Sequence, residues 1–267
     1  MTHYDFIDQF IVRNVMKPMY LHTSILVGIL LLASCGQVDV TKEVDPFQNL
    51  TEKQMVSKAK TAEQRNDFDK AADAFEAVGR YFPTSKYAPV ALLNAIYLKA
   101  QLTEVTAVES LAQSFLHEYP RDQHADYAYY LYSIAPLLNH GSFLQQKLHS
   151  HIGEYGFDVM QKSFRRLRTF VRLYPHSQYQ PQVRWMLVYL KHLIAAHHAR
   201  ISQFYLSQGA YQAAINRAMD SLAVSQRRDS ALVSLRVMQA AYQKVGLTQQ
   251  AHQVHLVLKA ATVHVKH

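Results

Sequence analysis

Pro83-Thr84-Ser85-Lys86-Tyr87-Ala88-Pro89 and Pro175-His176-Ser177-Gln178-Tyr179-Gln180-Pro181 share the pattern P-x-S-x-Y-x-P, and each follows an aromatic residue, Phe82 or Tyr174. Between them lies a looser copy, Tyr119-Pro120-Arg121-Asp122. Pro83 and Pro120 are 37 positions apart, a period in the range of arrays of helical hairpins. The positions 12, 8 and 5 residues before these prolines are small or apolar: Ala71, Phe75 and Val78 before the first, Val108, Ala112 and Phe115 before the second. That spacing is one face of a helix that the proline ends. A partner helix fits just upstream of each, so every unit reads as helix, turn, helix.

Two later stretches carry a turn glycine in register. Tyr205, Gly209, Tyr211 and Ala214, then Tyr242, Gly246 and Ala251, keep a Y-x-x-x-G-x-x-x-x-A spacing. In the first unit Asn66 takes the glycine position, as a residue that tolerates left-handed backbone can. The reading is all-α: a tetratricopeptide-like (TPR-like) α-α superhelix of about five hairpins, at about 51–83, 86–120, 124–175, 178–225 and 229–262, within a domain spanning 51–265. The third hairpin is interrupted between Pro136 and Asp158, where the helical period fails around Gly141, Gly153, Gly156, His149 and His151. This 136–158 insertion is either a partner-binding elaboration or a tolerated one. The fourth hairpin has Gln226 where a closing proline is due.

Composition agrees with helices. Eight Gly and eight Pro in 267 residues are too few to punctuate a sandwich or barrel. A single cysteine excludes an intramolecular disulfide and a Cys-rich zinc site. Its setting is informative: Ile25 to Leu32 form a short apolar run behind Lys17, ending in Leu32-Ala33-Ser34-Cys35-Gly36. The run is too short to span a bilayer and has the layout of a secretory signal. Leu-Ala-Ser-Cys resembles the bacterial lipobox, which implies cleavage before Cys35 and a diacylglycerol and an N-acyl chain on it. Residues 1–34 then form the signal peptide and 35–50 a polar, lipidated tether. Asp5 and Asp8 stand where that signal should be positive, so translation is expected to start at Met16. Gly36 in place of an aspartate after the cysteine points to the periplasmic face of the outer membrane of a Gram-negative bacterium. Without residues 1–34 the chain keeps 26 basic against 18 acidic side chains, a balance that suits an acidic partner or anionic headgroups. The basic residues are scattered, which does not point to nucleic acid.

Hairpins behind a lipobox resemble the BamD family, the TPR lipoproteins of the outer-membrane β-barrel assembly (BAM) machinery. The residues that carry the resemblance are Arg80-Tyr81-Phe82-Pro83 with Tyr87, Asp126-Tyr127-Ala128-Tyr129-Tyr130, Phe170 to Tyr179, Tyr189-Leu190-Lys191, and Gly209-Ala210-Tyr211 followed by Asn216-Arg217. The insertion, the missing fourth proline and the His-rich C-terminus depart from it. The resemblance implies a scaffold that joins the POTRA domain of BamA, with other BAM lipoproteins, to unfolded outer-membrane β-barrel precursors. It implies that Asn216 and Arg217 meet an acidic patch on the POTRA domain, and that Tyr87, Asn94 and Tyr97 line a groove for the C-terminal segment of substrates. On residue chemistry alone, Tyr87 and Tyr97 fit a core between repeats as well as a groove, and Arg217 fits a solvated charge.

Catalytic patterns are sparse. Gly-rich phosphate loops, HExxH and G-x-S-x-G are missing. His192, His197 and His198 share a helix, but a spacing of five points the first two apart, so no metal is expected. Glu118, Asp122 and Asp126 flank a repeat junction, where capping of helix N-termini accounts for them. No enzyme activity and no cofactor beyond the lipid on Cys35 are expected. The alternatives are another periplasmic TPR lipoprotein that tethers cell-wall or division proteins, and a helical-superhelix murein hydrolase, which needs a lysozyme-like domain for which the hairpins leave no room.

Overall fold

The computed structural model describes residues 45–140, 156–225 and 227–263. The signal peptide with Met16, Cys35 and most of the tether, the middle of the 136–158 insertion, and Gln226 lie outside the described residues. The described chain is all-α and TPR-like: α1 (Glu52–Gln64), α2 (Phe68–Tyr81), α3 (Ala88–Gln101), α4 (Val105–Glu118), α5 (Ala125–Ile134), a 3-10 turn (Ala135–His140), α6 (Phe157–Leu173), α7 (Gln180–Ser207), α8 (Tyr211–Val224), α9 (Arg228–Lys244) and α10 (Thr248–Val263). Each helix packs on the next, and α3 meets α5 and α7 meets α9, so the first helices of neighbouring hairpins touch.

The periodicity of the sequence becomes the core. Ala71, Phe75 and Val78 on α2 and Val108, Ala112 and Phe115 on α4 are buried. The same offsets recur as Ser163, Leu167 and Phe170 on α6, and as Ala214, Ala218 and Ser221 on α8, all buried. Gln226 therefore stands in the register of the missing proline. Small side chains let helices approach: the Ser221 hydroxyl donates to the Ala195 carbonyl of α7 at 2.9 Å. The folded unit starts at Phe47, four residues inside the expected tether, because the Phe47 ring is buried against α1 with the Lys58 ammonium 5.0 Å from its centre. Thr51 and Gln54 then form a capping box at the start of α1. The first part of the insertion also belongs to the core: Leu137 in the 3-10 turn is buried.

The junction motif has a mechanical meaning. Ser85 Oγ accepts from the Tyr87 amide at 3.1 Å and donates to the Glu52 carboxylate at the start of α1. Ser177 Oγ repeats this, accepting from the Tyr179 amide at 3.1 Å and donating to Asp126 Oδ2 of α5 at 2.6 Å. Asp122 holds the serine position in the looser copy and accepts from the His124 amide at 2.8 Å. Each serine thus starts one helix and ties it to the start of the helix one hairpin earlier. The capping expected of Glu118, Asp122 and Asp126 is not what they do at α5, whose N-cap is His124 without a side-chain cap bond. Asp126 sits in the first turn, where Oδ1 accepts from the Tyr127 amide at 2.7 Å and Oδ2 forms this latch.

Two ion-pair clusters cross hairpin boundaries. Lys99 is buried and meets Asp69 at 2.5 Å, Glu104 at 3.2 Å and Asp73 at 3.3 Å. Burial opposes its charge, but the three carboxylates outweigh this and raise its pKa. Arg166 donates to Glu109 and to the Tyr132 carbonyl, both at 2.8 Å, with its guanidinium 3.6 Å from the Tyr132 ring centre. Burial works against the Glu109 charge, yet Arg166 and Lys162 hold its carboxyl below the usual range.

Hairpin turns require left-handed backbone, and the φ angles are 58° at Asn66, 59° at Thr103, 73° at Gly209 and 79° at Gly246. Asn66 does take the glycine position. Thr103 is the exception, because a β-branched residue is strained there. Thr103→Gly is expected to stabilise the chain by about 1 kcal/mol, read as a higher urea midpoint; a lower midpoint would contradict the strain.

Candidate partner-binding surfaces

Helix α3 buries Ala88, Ala91, Leu92, Ala95, Ile96 and Leu98 and leaves its other face open. Along that face run Tyr87, Val90, Asn94, Tyr97 and Gln101, all exposed and spaced three and four residues apart. Tyr87 is 54 % exposed, Val90 51 % and Tyr97 42 %. Both tyrosines are therefore surface residues and not core between repeats, and Asn94 lies between them on the same stripe. The Lys86 ammonium sits 5.0 Å from the Tyr87 ring centre, and Gln101 donates its amide to the Tyr97 hydroxyl.

The stripe continues into the next hairpin. Burial, with Tyr179, Tyr97 and Tyr130 acting on it, pushes the Tyr127 phenol up to about 12. Tyr127 stacks on Tyr179 with ring centres 5.3 Å apart, and Tyr130 stacks on Tyr179 at 5.2 Å and 8°. Burial also pushes Tyr130 up to about 12. Tyr130 belongs to the buried core, whereas Tyr127 and Tyr179 are partly exposed and offer apolar rings with hydroxyls. Tyr127 and Tyr179 were not among the residues expected at this face. The signal that marks one of them is the junction motif itself, since Tyr179 is the counterpart of Tyr87.

The second surface is on α8. Asn216 and Arg217 are exposed on its outer face, opposite the buried Ala214, Ile215 and Ala218. Asn216 accepts from Gln212 at 3.1 Å. Arg217 Nη1 donates to Asp220 Oδ2 at 3.1 Å, so its charge is paired within its own helix and is not simply solvated. Beside it on α7, His197 stacks on Phe157 of α6 at 4.5 Å, and His198 meets the same ring edge-on at 5.0 Å. Burial, followed by Arg200 and Arg217, lowers the His197 pKa. The stripe and the Asn216–Arg217 pair lie on different hairpins.

The family model described as outer membrane lipoprotein, YfiO, matches residues 48–256. The chain belongs to this family. Its relatives include the outer membrane protein assembly factor BamD of Haemophilus influenzae, 26 % identical over 207 residues that cover 78 % of this chain and 79 % of that protein. BamD of Neisseria meningitidis serogroup A is 24 % identical over 244 residues, 91 % of each chain. BamD of Vibrio cholerae is 24 % identical over 224 residues, 84 % of this chain and 90 % of that one. Among solved structures, MamA protein aligns over 81 % of this chain and 96 % of its own at 15 % identity, with a TM-score of 0.32. The YfiO match takes in both surfaces, on α3 and α8, whereas Cys35 precedes it.

Among the described residues, no group of three or more His, Cys, Asp or Glu is placed to hold a metal ion. His192 shares a contact with Arg227 at 3.2 Å, while His197 is occupied by Phe157. No described helix is long and apolar enough to cross a membrane.

Proposed function

We propose that this YfiO-family chain is a non-enzymatic scaffold of outer-membrane β-barrel assembly, held at the periplasmic face of the outer membrane by lipid on Cys35. Asn216 and Arg217 dock on an acidic patch of the BamA POTRA domain, alongside other BAM lipoproteins. The α3 stripe, with Tyr127 of α5 and Tyr179 at the start of α7, receives unfolded β-barrel precursors. The observation that carries this reading is the open face of Tyr87, Val90, Asn94 and Tyr97, which offers apolar area and hydroxyl or amide groups together. An extended segment ending in an aromatic residue can use both. The names of the relatives, outer membrane protein assembly factors, support the same assignment.

Arg217→Glu tests the docking half. Reversing a charge at a docked ion pair costs about 2–5 kcal/mol, which is more than tenfold in affinity. Recovery of BamA with the tagged chain from detergent-solubilised envelopes is expected to fall by at least that factor. Unchanged recovery would remove the role given to Arg217.

A further inference from the structure

Asp220 stands between two possible partners. Its Oδ2 is 3.1 Å from Arg217 Nη1 and 3.9 Å from His198 Nδ1. The first distance is a hydrogen bond and the second is too long for one. His198 Nδ1 is buried and has no hydrogen-bond partner. A buried polar atom left this way is unfavourable, so a partner within reach has a driving force to close on it. Phe157 fixes the imidazole plane from one side. The charged and titratable groups that act on His198 are Asp220 and Arg217 from α8 and His197 from α7, while α6 presents the Phe157 ring. Asp220 and Arg217 are each about half exposed, and an exposed pair three residues apart on a helix is weak and easily exchanged.

We propose that Asp220 is an internal stand-in for a partner's carboxylate: it holds Arg217 in the free protein and turns to His198 when an acidic protein surface takes the guanidinium. This rests on the docking role of Arg217 and adds its regulation. In the free protein Arg217 is kept in a fixed posture and shielded from weak, non-specific anions. On docking, two groups are satisfied at once, because the partner's carboxylate accepts from Arg217 while His198 Nδ1–H donates to Asp220. The exchange also couples docking to a proton. Burial holds the His198 pKa below its ordinary value, and a carboxylate drawn up against it raises that value. The docked state therefore binds more protons, and docking strengthens as the pH falls from 7.5 towards 6.

The experiment has two arms, both on the full chain in detergent. In the first, the His198 imidazole resonance, assigned by its loss in His198→Gln, is titrated by NMR. Arg217→Ala is expected to raise the His198 midpoint by freeing Asp220, and adding Asp220→Asn is expected to cancel the rise. No rise, or a rise that survives in the double variant as the mere loss of a positive charge, would overturn the proposal. In the second arm, binding of the purified BamA POTRA region is measured at pH 7.5 and 6. Asp220→Asn is expected to tighten binding several-fold at pH 7.5 and to flatten its pH dependence, whereas Arg217→Ala weakens it. Unchanged or weaker binding by Asp220→Asn overturns the stand-in role. Unchanged binding by Arg217→Ala instead overturns the docking role, and the stand-in role with it, whatever the titration shows.

Discussion

Phe170→Ala is expected to destabilise the chain by about 3–5 kcal/mol, the range for truncating a fully enclosed aromatic side chain. Phe170 has no exposed surface. Its ring centre lies 5.3 Å from Tyr174, 6.3 Å from Tyr129 and 6.5 Å from Tyr130, so it gathers side chains from α5 and from the start of the junction before α7. The cavity cannot collapse easily, because the same tyrosines are held elsewhere: Tyr130 by its stack on Tyr179 and Tyr174 by the hydrogen bond of its amide to the Phe170 carbonyl. Stability in a stack of hairpins is close to a sum of units and neighbour interfaces, and this position serves an interface as well as a unit. Urea unfolding followed by circular dichroism should show the loss as a large fall in midpoint. A change below 1 kcal/mol would show that the third and fourth hairpins are not packed as described.

Cys35→Ser is expected to release the protein from the membrane. At about 0.8 kcal/mol per buried methylene, one acyl chain holds a protein marginally and several hold it firmly. No described helix could substitute as a span. After lysis and ultracentrifugation the parent chain should pellet with the envelope and the variant should stay in the supernatant. Intact-mass measurement of the parent should find acyl chains on an N-terminal Cys35. A variant that pellets as fully as the parent would place the anchor elsewhere.

Several features were readable from residues alone because they are periodic. The offsets from Pro83 and Pro120 gave the buried faces of α2 and α4, and counting from Pro175 and Gln226 extends them to α6 and α8. Asn66 was identifiable as a left-handed turn because its side chain tolerates that region. Thr103 was not, since nothing about threonine marks it for positive φ; the turn is imposed by the helices on either side. Phe47 falls in the expected tether because a lone aromatic in a polar stretch has no period, and its packing against α1 becomes visible only once the helix is in place. The serine latches were hidden for a related reason: Ser85 and Glu52 are 33 residues apart, and Ser177 and Asp126 are 51 apart. Tyr87, Asn94 and Tyr97 could be named from family resemblance, but their shared open face follows from which residues α3 buries. For Arg217, composition offered only a solvated charge, and the pairing with Asp220 beside a buried histidine needed α7 and α8 in place.

The central claim is that an open face on stacked helical hairpins holds other polypeptides. It is tested most directly by placing a photoreactive amino acid at position 97 of the chain in living cells. On irradiation it should crosslink to β-barrel precursors, and the same label at the buried position 96 should not. Position 97 yielding no precursor adduct, or no more than position 96, would contradict the account.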